Sequence, residues 1–349
     1  MPKRRADYQP NEYFYDEYEA ERDEARNEAL SGNISNYRTK TTKCGRGYFP
    51  ELIEVDVYPA MKWGVKREPP AGKTSEAQRK VNHRNVQRKV TQICNANFGA
   101  FDVFATLNYE DKHLPEDYAQ ANRKLANYFK CLKRLIDRIN DIYWADRQIS
   151  FLHGERERIT REAYVQALSE YQRGKRLRAN FAIIAGYVAQ IIEKPIEALK
   201  YIYVTEHSQS GRTAGGRFHH HIITNFRERE IFECFWKWGL RNNTRLVKPD
   251  DFGLAGLAFY ITKDYAYKAD YEKSYGFSRN LYLPYNHATT SNTKASKKKA
   301  AEIATDITKA YAWFAKHYPK YELLEAPEVR TNEYFGGYWI YARLRRREE

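Results

Sequence analysis

The run Arg217-Phe-His-His-His-Ile-Ile-Thr224 carries the most specific chemistry in the sequence. Apolar and β-branched residues around the histidines read as a β-strand, in which successive side chains point to opposite faces. His219 and His221 then share one face, and His220 points to the other. Two imidazoles two residues apart on a strand face can bind one divalent cation. An accidental surface cluster is the alternative; the apolar flanks and a nearby carboxylate weigh against it. That carboxylate is Glu206, which closes a second strand-like run, Leu199 to Thr205 (LKYIYVT). The polar loop SQSGRTAGG is short enough to make the two strands a hairpin, which brings Glu206 near the histidines. Two histidines and a carboxylate leave coordination positions open for substrate oxygens. Glu206 has a second reading, as an exposed turn carboxylate.

Tyrosine acts as a covalent nucleophile when its proton is removed or its oxyanion is stabilised. The stretch from Phe259 to Lys268 (FYITKDYAYK) holds two Tyr-x-x-Lys spacings, Tyr260/Lys263 and Tyr265/Lys268. On a helix, a lysine one turn from a tyrosine lies on the same face, where it can neutralise a phosphate or a phenolate. In a chain with 29 tyrosines the spacing alone decides nothing. The helical wheel separates the two pairs. Tyr265 falls on the apolar stripe with Leu257 and Ile261, whereas Tyr260 groups with Lys263 and Tyr267 on a polar face. Tyr260 is therefore the first choice of nucleophile, with Lys263 assisting it. Tyr265 is either core or a second nucleophile.

These residues need elements to position them. Residues 75–97 read as a helix, with Ser75 as N-cap and Val81, Val86, Val90 and Ile93 at near-helical spacing. Phe101 to Tyr109 reads as a strand closed by a turn through Pro115. An amphipathic helix follows, with Leu125, Phe129, Leu132, Ile136 and Ile139 on one face. Residues 141–198 are helical in character and read as an insertion without a chemical motif. Further helices are expected over 228–240, over 253–268 and, rich in lysine, near 294–317. The expected organisation is a flexible charged arm (1–45), a main domain (46–285) and a basic helical region (286–349) with a ragged charged end.

Bulk composition narrows the partner. With 59 Lys and Arg against 45 Asp and Glu, the formal net charge is +14, which favours a polyanion: nucleic acid or an anionic membrane surface. Basic charge interleaved with many Tyr and Phe suits single strands, where cations track phosphates and rings stack on bases. Lys297, Lys298 and Lys299 are candidates for phosphate tracking, or else a solvated face. Four scattered cysteines without a CxxC spacing argue against a zinc knuckle or a disulfide framework. The charged N-terminus has no apolar signal region, and no uncharged run approaches the roughly 18 residues of a membrane span. A cytoplasmic protein with no membrane partner is expected. Gly72-Lys73-Thr74 ends like a phosphate loop, but position 67 is Arg where the first glycine belongs.

Taken together and in order, these segments resemble the HUH endonuclease superfamily, in particular the rolling-circle replication initiators of single-stranded DNA phages and related mobile elements. The resemblance rests on VFATLNYEDKHLP (103–115), VTEHSQSGRTAGGRFHHHIIT (204–224), AFYITKDYAYK (258–268) and FSRNLYLP (277–284), and spans roughly residues 75 to 285. It implies an α+β fold with a central antiparallel sheet that carries the HxH strand, and a tyrosine helix packed near it. It implies His219, His221 and Glu206 as ligands of Mg²⁺ or Mn²⁺, and Tyr260 as the nucleophile that forms a 5′-phosphotyrosine link. Arg217, Lys268 and Arg279 would contact DNA. The partners would be single-stranded DNA at a replication origin and the helicase and polymerase of a bacterial host cell. Relatives often space two tyrosines four apart; here position 264 is Asp and the next tyrosine is Tyr265. An HUH transposase or relaxase shares the same chemistry. A non-catalytic nucleic-acid-binding protein with an incidental metal site is the rival of another class.

Overall fold

The computed structural model describes residues 34–45, 51–61, 76–153, 158–208, 217–263, 275–331 and 337–347. In chain order the elements begin with β1 (Ile34–Lys43), β2 (Leu52–Met61) and α1 (Glu76–Asn97). β3 (Val103–Asn108) leads to the long helix α2 (Tyr118–His153), then α3 (Arg161–Gln172) and α4 (Arg178–Ile191). β4 (Tyr201–Ser208) and β5 (Arg217–Thr224) follow, then α5 (Arg229–Phe235), β6 (Asn243–Leu246), α6 (Ala255–Thr262), β7 (Gly276–Phe277) and β8 (Thr289–Ser291). The last elements are α7 (Lys297–Thr305), α8 (Ile307–His317), β9 (Tyr321–Leu323), β10 (Glu328–Thr331) and β11 (Tyr338–Arg346). The fold is α+β, with two antiparallel sheets flanked by helices. The described residues fall into two units, one within Met1–Ala96, Pro249–Phe259 and Tyr282–Glu349, the other within Asn97–Lys248 and Tyr260–Leu281.

In the second unit, five strands run in the order β6-β3-β5-β4-β7. Alternation gives the sheet two distinct faces. Val103, Ala105 and Leu107 of β3, with Phe218 and Ile222 of β5, turn into a core filled by α2, α3, α4 and α5. Helix α2 buries the stripe Leu125, Phe129, Leu132, Ile136 and Ile139 there, and Phe129 stacks on Tyr201 with ring centroids 3.6 Å apart. The expected insertion at 141–198 needs correcting. Its first residues continue α2, and α3 and α4 bury Tyr164, Tyr171, Ile184 and Val188 in the same core as the sheet. Asn140 clamps the far end, donating to Ile196 O (2.9 Å) and accepting from Ile196 N (2.8 Å). The segment is thus structural mass for the site's sheet.

In the first unit, the sheet order is β10-β11-β2-β1-β8, with β9 on β11. Its core joins Val55, Val57, Ile340, Ala342 and Leu344 to Trp313 and Phe314 of α8 and Ile303 of α7. Two expected boundaries fail here. Residues 34–43 are a paired strand and not part of a flexible arm, and 286–349 holds four strands, among them β11 where a ragged end was expected. Strand pairing across the chain overrides local polarity: Val57 pairs with Ile340, and Thr39 with Ser291. The Lys-rich helix is two helices, because Asp306 caps α8 by accepting from the backbone of Thr308 and Lys309. Gly253 (φ +69°) makes the turn that precedes α6. The buried Asn95 side chain holds that turn, accepting from Leu254 N at 2.6 Å and donating to Phe252 O at 3.2 Å. A Cβ on Gly253 would meet Asn95 Oδ1 at 2.6 Å.

Candidate metal centre

The face of the second unit's sheet that turns away from its core carries the site. The register sets Glu206 of β4 directly opposite His219 of β5, and Thr106 of β3 opposite His221. Glu206, His219 and His221 each offer a ligand atom, and those atoms all lie within 4.8 Å of one another. Both imidazoles present Nε2 to the same oxygen: Glu206 Oε2 is 3.3 Å from His219 and 3.1 Å from His221. Glu206 is 7% exposed, so the exposed-turn reading falls. It lies inside β4, which runs two residues further to Ser208.

Burial holds His221 below the ordinary histidine range, against the pull of the Glu206 carboxylate, and electrostatic interaction with His219 and Lys263 adds to the lowering. A neutral imidazole is the form that binds a metal. Its other nitrogen is also engaged, since Nδ1 lies 3.1 Å from Thr106 Oγ1. Toward the Glu206 carboxylate, which only accepts, Nε2 donates at 3.1 Å, and Nδ1 accepts from Thr106; a bound metal would take the Nε2 lone pair with the ring proton on Nδ1, and Thr106 would then be the second partner that orients a metal-binding histidine. These three residues can hold a metal ion.

His220 points the other way and is fully buried. Thr205 Oγ1 donates to Asn122 Oδ1 at 2.7 Å. His220 therefore donates from Nδ1 to Thr205 (2.9 Å) and accepts at Nε2 from Tyr109 (2.8 Å). This chain ties β3, β4, β5 and α2 together directly behind the two outward histidines. Thr106, Thr205 and Tyr109 went unassigned in the sequence. The strand alternation that places His219 and His221 also places Thr106, once β3 is paired with β5.

Tyr260 sits beside the cluster. Its ring meets His221 edge-on at 5.4 Å and Phe104 at 6.2 Å, and the residue is 43% exposed. Lys263 Nζ stands 4.9 Å from the centre of that ring and 3.9 Å from Glu206 Oε1. Tyr265 and Lys268 lie outside the described residues. Arg217 is not a free cation, because it pairs with Asp111 and donates to Tyr109 O at 3.1 Å. Arg279 is exposed, while its neighbours fasten the chain to β4: Ser278 Oγ accepts from Tyr201 N, and Asn280 Nδ2 donates to Leu199 O. Lys297, Lys298 and Lys299 belong to the first unit; the first two are exposed and Lys299 pairs with Glu302 at 2.6 Å. No helix among the described residues is long and apolar enough to cross a membrane. No family model, curated protein or solved structure matches the chain.

Proposed function

We propose that this protein is a metal-dependent, HUH-type endonuclease that nicks and rejoins single-stranded DNA through Tyr260 and so initiates rolling-circle replication. The observation that carries this reading is the placement of an exposed tyrosine and a lysine at the rim of the Glu206–His219–His221 cluster. A chain with net charge +14 supports a polyanionic substrate.

Two imidazoles and one carboxylate would hold a divalent metal, in this reading Mg²⁺ or Mn²⁺, which would polarise the scissile phosphate when bound. The chain's own residues do the rest. Tyr260 Oη attacks phosphorus and forms a phosphotyrosine bond with the 5′ side of the break. The P–O3′ bond breaks, and the phenol proton leaves with the departing oxygen as a 3′-hydroxyl that primes synthesis. Lys263 offers its ammonium to the charge that builds up on the phosphate. Attack by a 3′-hydroxyl on the phosphotyrosine reverses these steps and reseals the strand. A host helicase and polymerase would act on the opened origin, in the cytoplasm of a bacterial host cell.

The test is incubation with a library of single-stranded DNA and Mn²⁺, followed by sequencing of the covalent adducts and peptide mapping of the attachment point. The reading requires one enriched sequence joined at Tyr260. An absence of any adduct overturns it.

A further inference from the structure

The site's sheet face extends beyond the metal ligands. β6 is the neighbour of β3 on the side away from β5, and its register pairs Arg245 with Phe104 and Asn243 with Thr106. Thr106 is in turn the partner of His221. Side chains paired across a sheet share a face, and adjacent strands lie about 5 Å apart. Asn243 and Arg245 therefore stand on the metal-bearing face, two strands from the histidine strand. Both are exposed.

Arg245 has a distinctive position. Its guanidinium lies over the Phe104 ring at 4.8 Å. The same ring stacks against His221 at 5.8 Å and meets Tyr260 edge-on at 6.2 Å. One buried ring thus separates a cation from both the tyrosine and a metal ligand. Two other cations near this face are engaged by carboxylates: Lys263 faces Glu206, and Arg217 pairs with Asp111. Among the described residues no carboxylate pairs with Arg245. Its guanidinium lies over Phe104 while the residue stays exposed, and a guanidinium can bind a phosphate through two N–H groups at once.

We propose that Arg245, flanked by Asn243, is a phosphate-binding subsite that seats the DNA backbone next to the phosphate Tyr260 attacks, so that the strand crosses the sheet from β6 toward β5. This rests on the function proposed above. A single-stranded backbone repeats its phosphates along its length, so a strand that delivers one to Tyr260 carries its neighbours past the flanking strands. Among those, β6 supplies the exposed cation.

The experiment measures binding of labelled oligothymidylate to the full-length protein by fluorescence anisotropy across a salt series, with EDTA present so that no cleavage intervenes. Each phosphate contact on a single strand contributes about 0.7 to the slope of log affinity against log salt. Arg245→Ala and Arg245→Gln are expected to make the slope shallower by about 0.7, and Arg245→Lys to retain it. The Lys variant separates a charge contact from a packing role on Phe104. Arg245→Ala and Arg245→Glu with wild-type affinity and slope would overturn this inference and leave the proposed function standing. A wild type that does not bind the probe at all would overturn both.

Discussion

Each unit buries carboxylates on one face of a sheet, and the two solutions are opposite. In the first unit Glu54 and Asp56 are each 4% exposed and face Arg88 of α1. The guanidinium bonds Glu54 at 2.6 Å and both oxygens of Asp56 at 2.7 Å, and Gln92 Nε2 adds a bond to Glu54 at 2.7 Å. Burial works against the Arg88 charge, but Glu54 and Asp56 outweigh it, so the group holds its proton more firmly than a free arginine. In the second unit Glu206 is nearly as buried, yet it faces two imidazoles, one of them held toward neutrality, and a lysine at 3.9 Å. The first cluster is closed, with a fixed cation filling the centre. The second sets two imidazoles and a lysine around one carboxylate, and its three ligand atoms, within 4.8 Å of one another, could hold a metal ion.

The largest effect should come from opening the closed cluster. Arg88→Ala removes the countercharge of both buried carboxylates and leaves Glu54 its bond from Gln92, a loss of about 3–5 kcal/mol of stability. Urea unfolding measures it, and a loss below about 1 kcal/mol would mean that the pairing is not what compensates these acids. Next comes filling the open cluster. Mn²⁺ at one hundred times its dissociation constant should stabilise the protein by about 2.7 kcal/mol. Glu206→Gln, His219→Ala and His221→Ala should each abolish that gain, while Glu54→Gln keeps it. Thermal melts with Mn²⁺ and with EDTA check this, and a gain that persisted in His221→Ala would place the metal elsewhere.

The contrast also marks what a sequence can disclose. Period-two alternation in Arg217–Thr224, with a short hairpin, is enough to read His219, His221 and Glu206 onto one face. The helical wheel likewise distinguishes Tyr260, 43% exposed, from the buried Ile261. The closed cluster was not legible, because Arg88 meets Glu54 and Asp56 across 34 and 32 residues with no motif to join them. The same holds for β1 and β11. Runs such as RTKTTK and RLRR look solvated, and only partners far along the chain turn them into sheet. β6 escaped notice because it is four residues long with one buried side chain, Thr244. Long-range pairing, rather than local propensity, decides such segments.

A smaller effect tests the scaffold behind the open cluster. His220→Ala removes two buried hydrogen bonds and strands the Tyr109 hydroxyl, which retains only a long 3.4 Å contact to Ala121 O. A loss of about 2 kcal/mol is expected, with the Mn²⁺ response intact because the ring faces away from Glu206. Loss of the Mn²⁺ response without loss of stability would reverse the two faces of β5.

The smallest effect on stability should fall on Tyr260, and it separates chemistry from fold most sharply. Tyr260 and Tyr341 both carry a cation over the ring: Lys263 Nζ at 4.9 Å from the centroid in one, Arg88 Cζ at 4.4 Å in the other. In the first unit that cation is committed to Glu54 and Asp56, and among the described residues no cluster that could hold a metal includes the groups around Tyr341. In the second, the exposed phenol stands next to His221 and the open centre. Tyr260→Phe keeps the ring, its edge contacts with His221 and Phe104, and the helix, and removes one oxygen. Stability should change by no more than about 0.5 kcal/mol. The Mn²⁺ gain should persist, because no ligand is touched, and so should oligothymidylate binding. The covalent adduct should vanish, whereas Tyr341→Phe, tested alongside, should still form it. An adduct that survives Tyr260→Phe moves the nucleophile to Tyr265 or Tyr267. An adduct lost equally in both variants would mean that the chemistry answers to general destabilisation and not to the phenol beside His221.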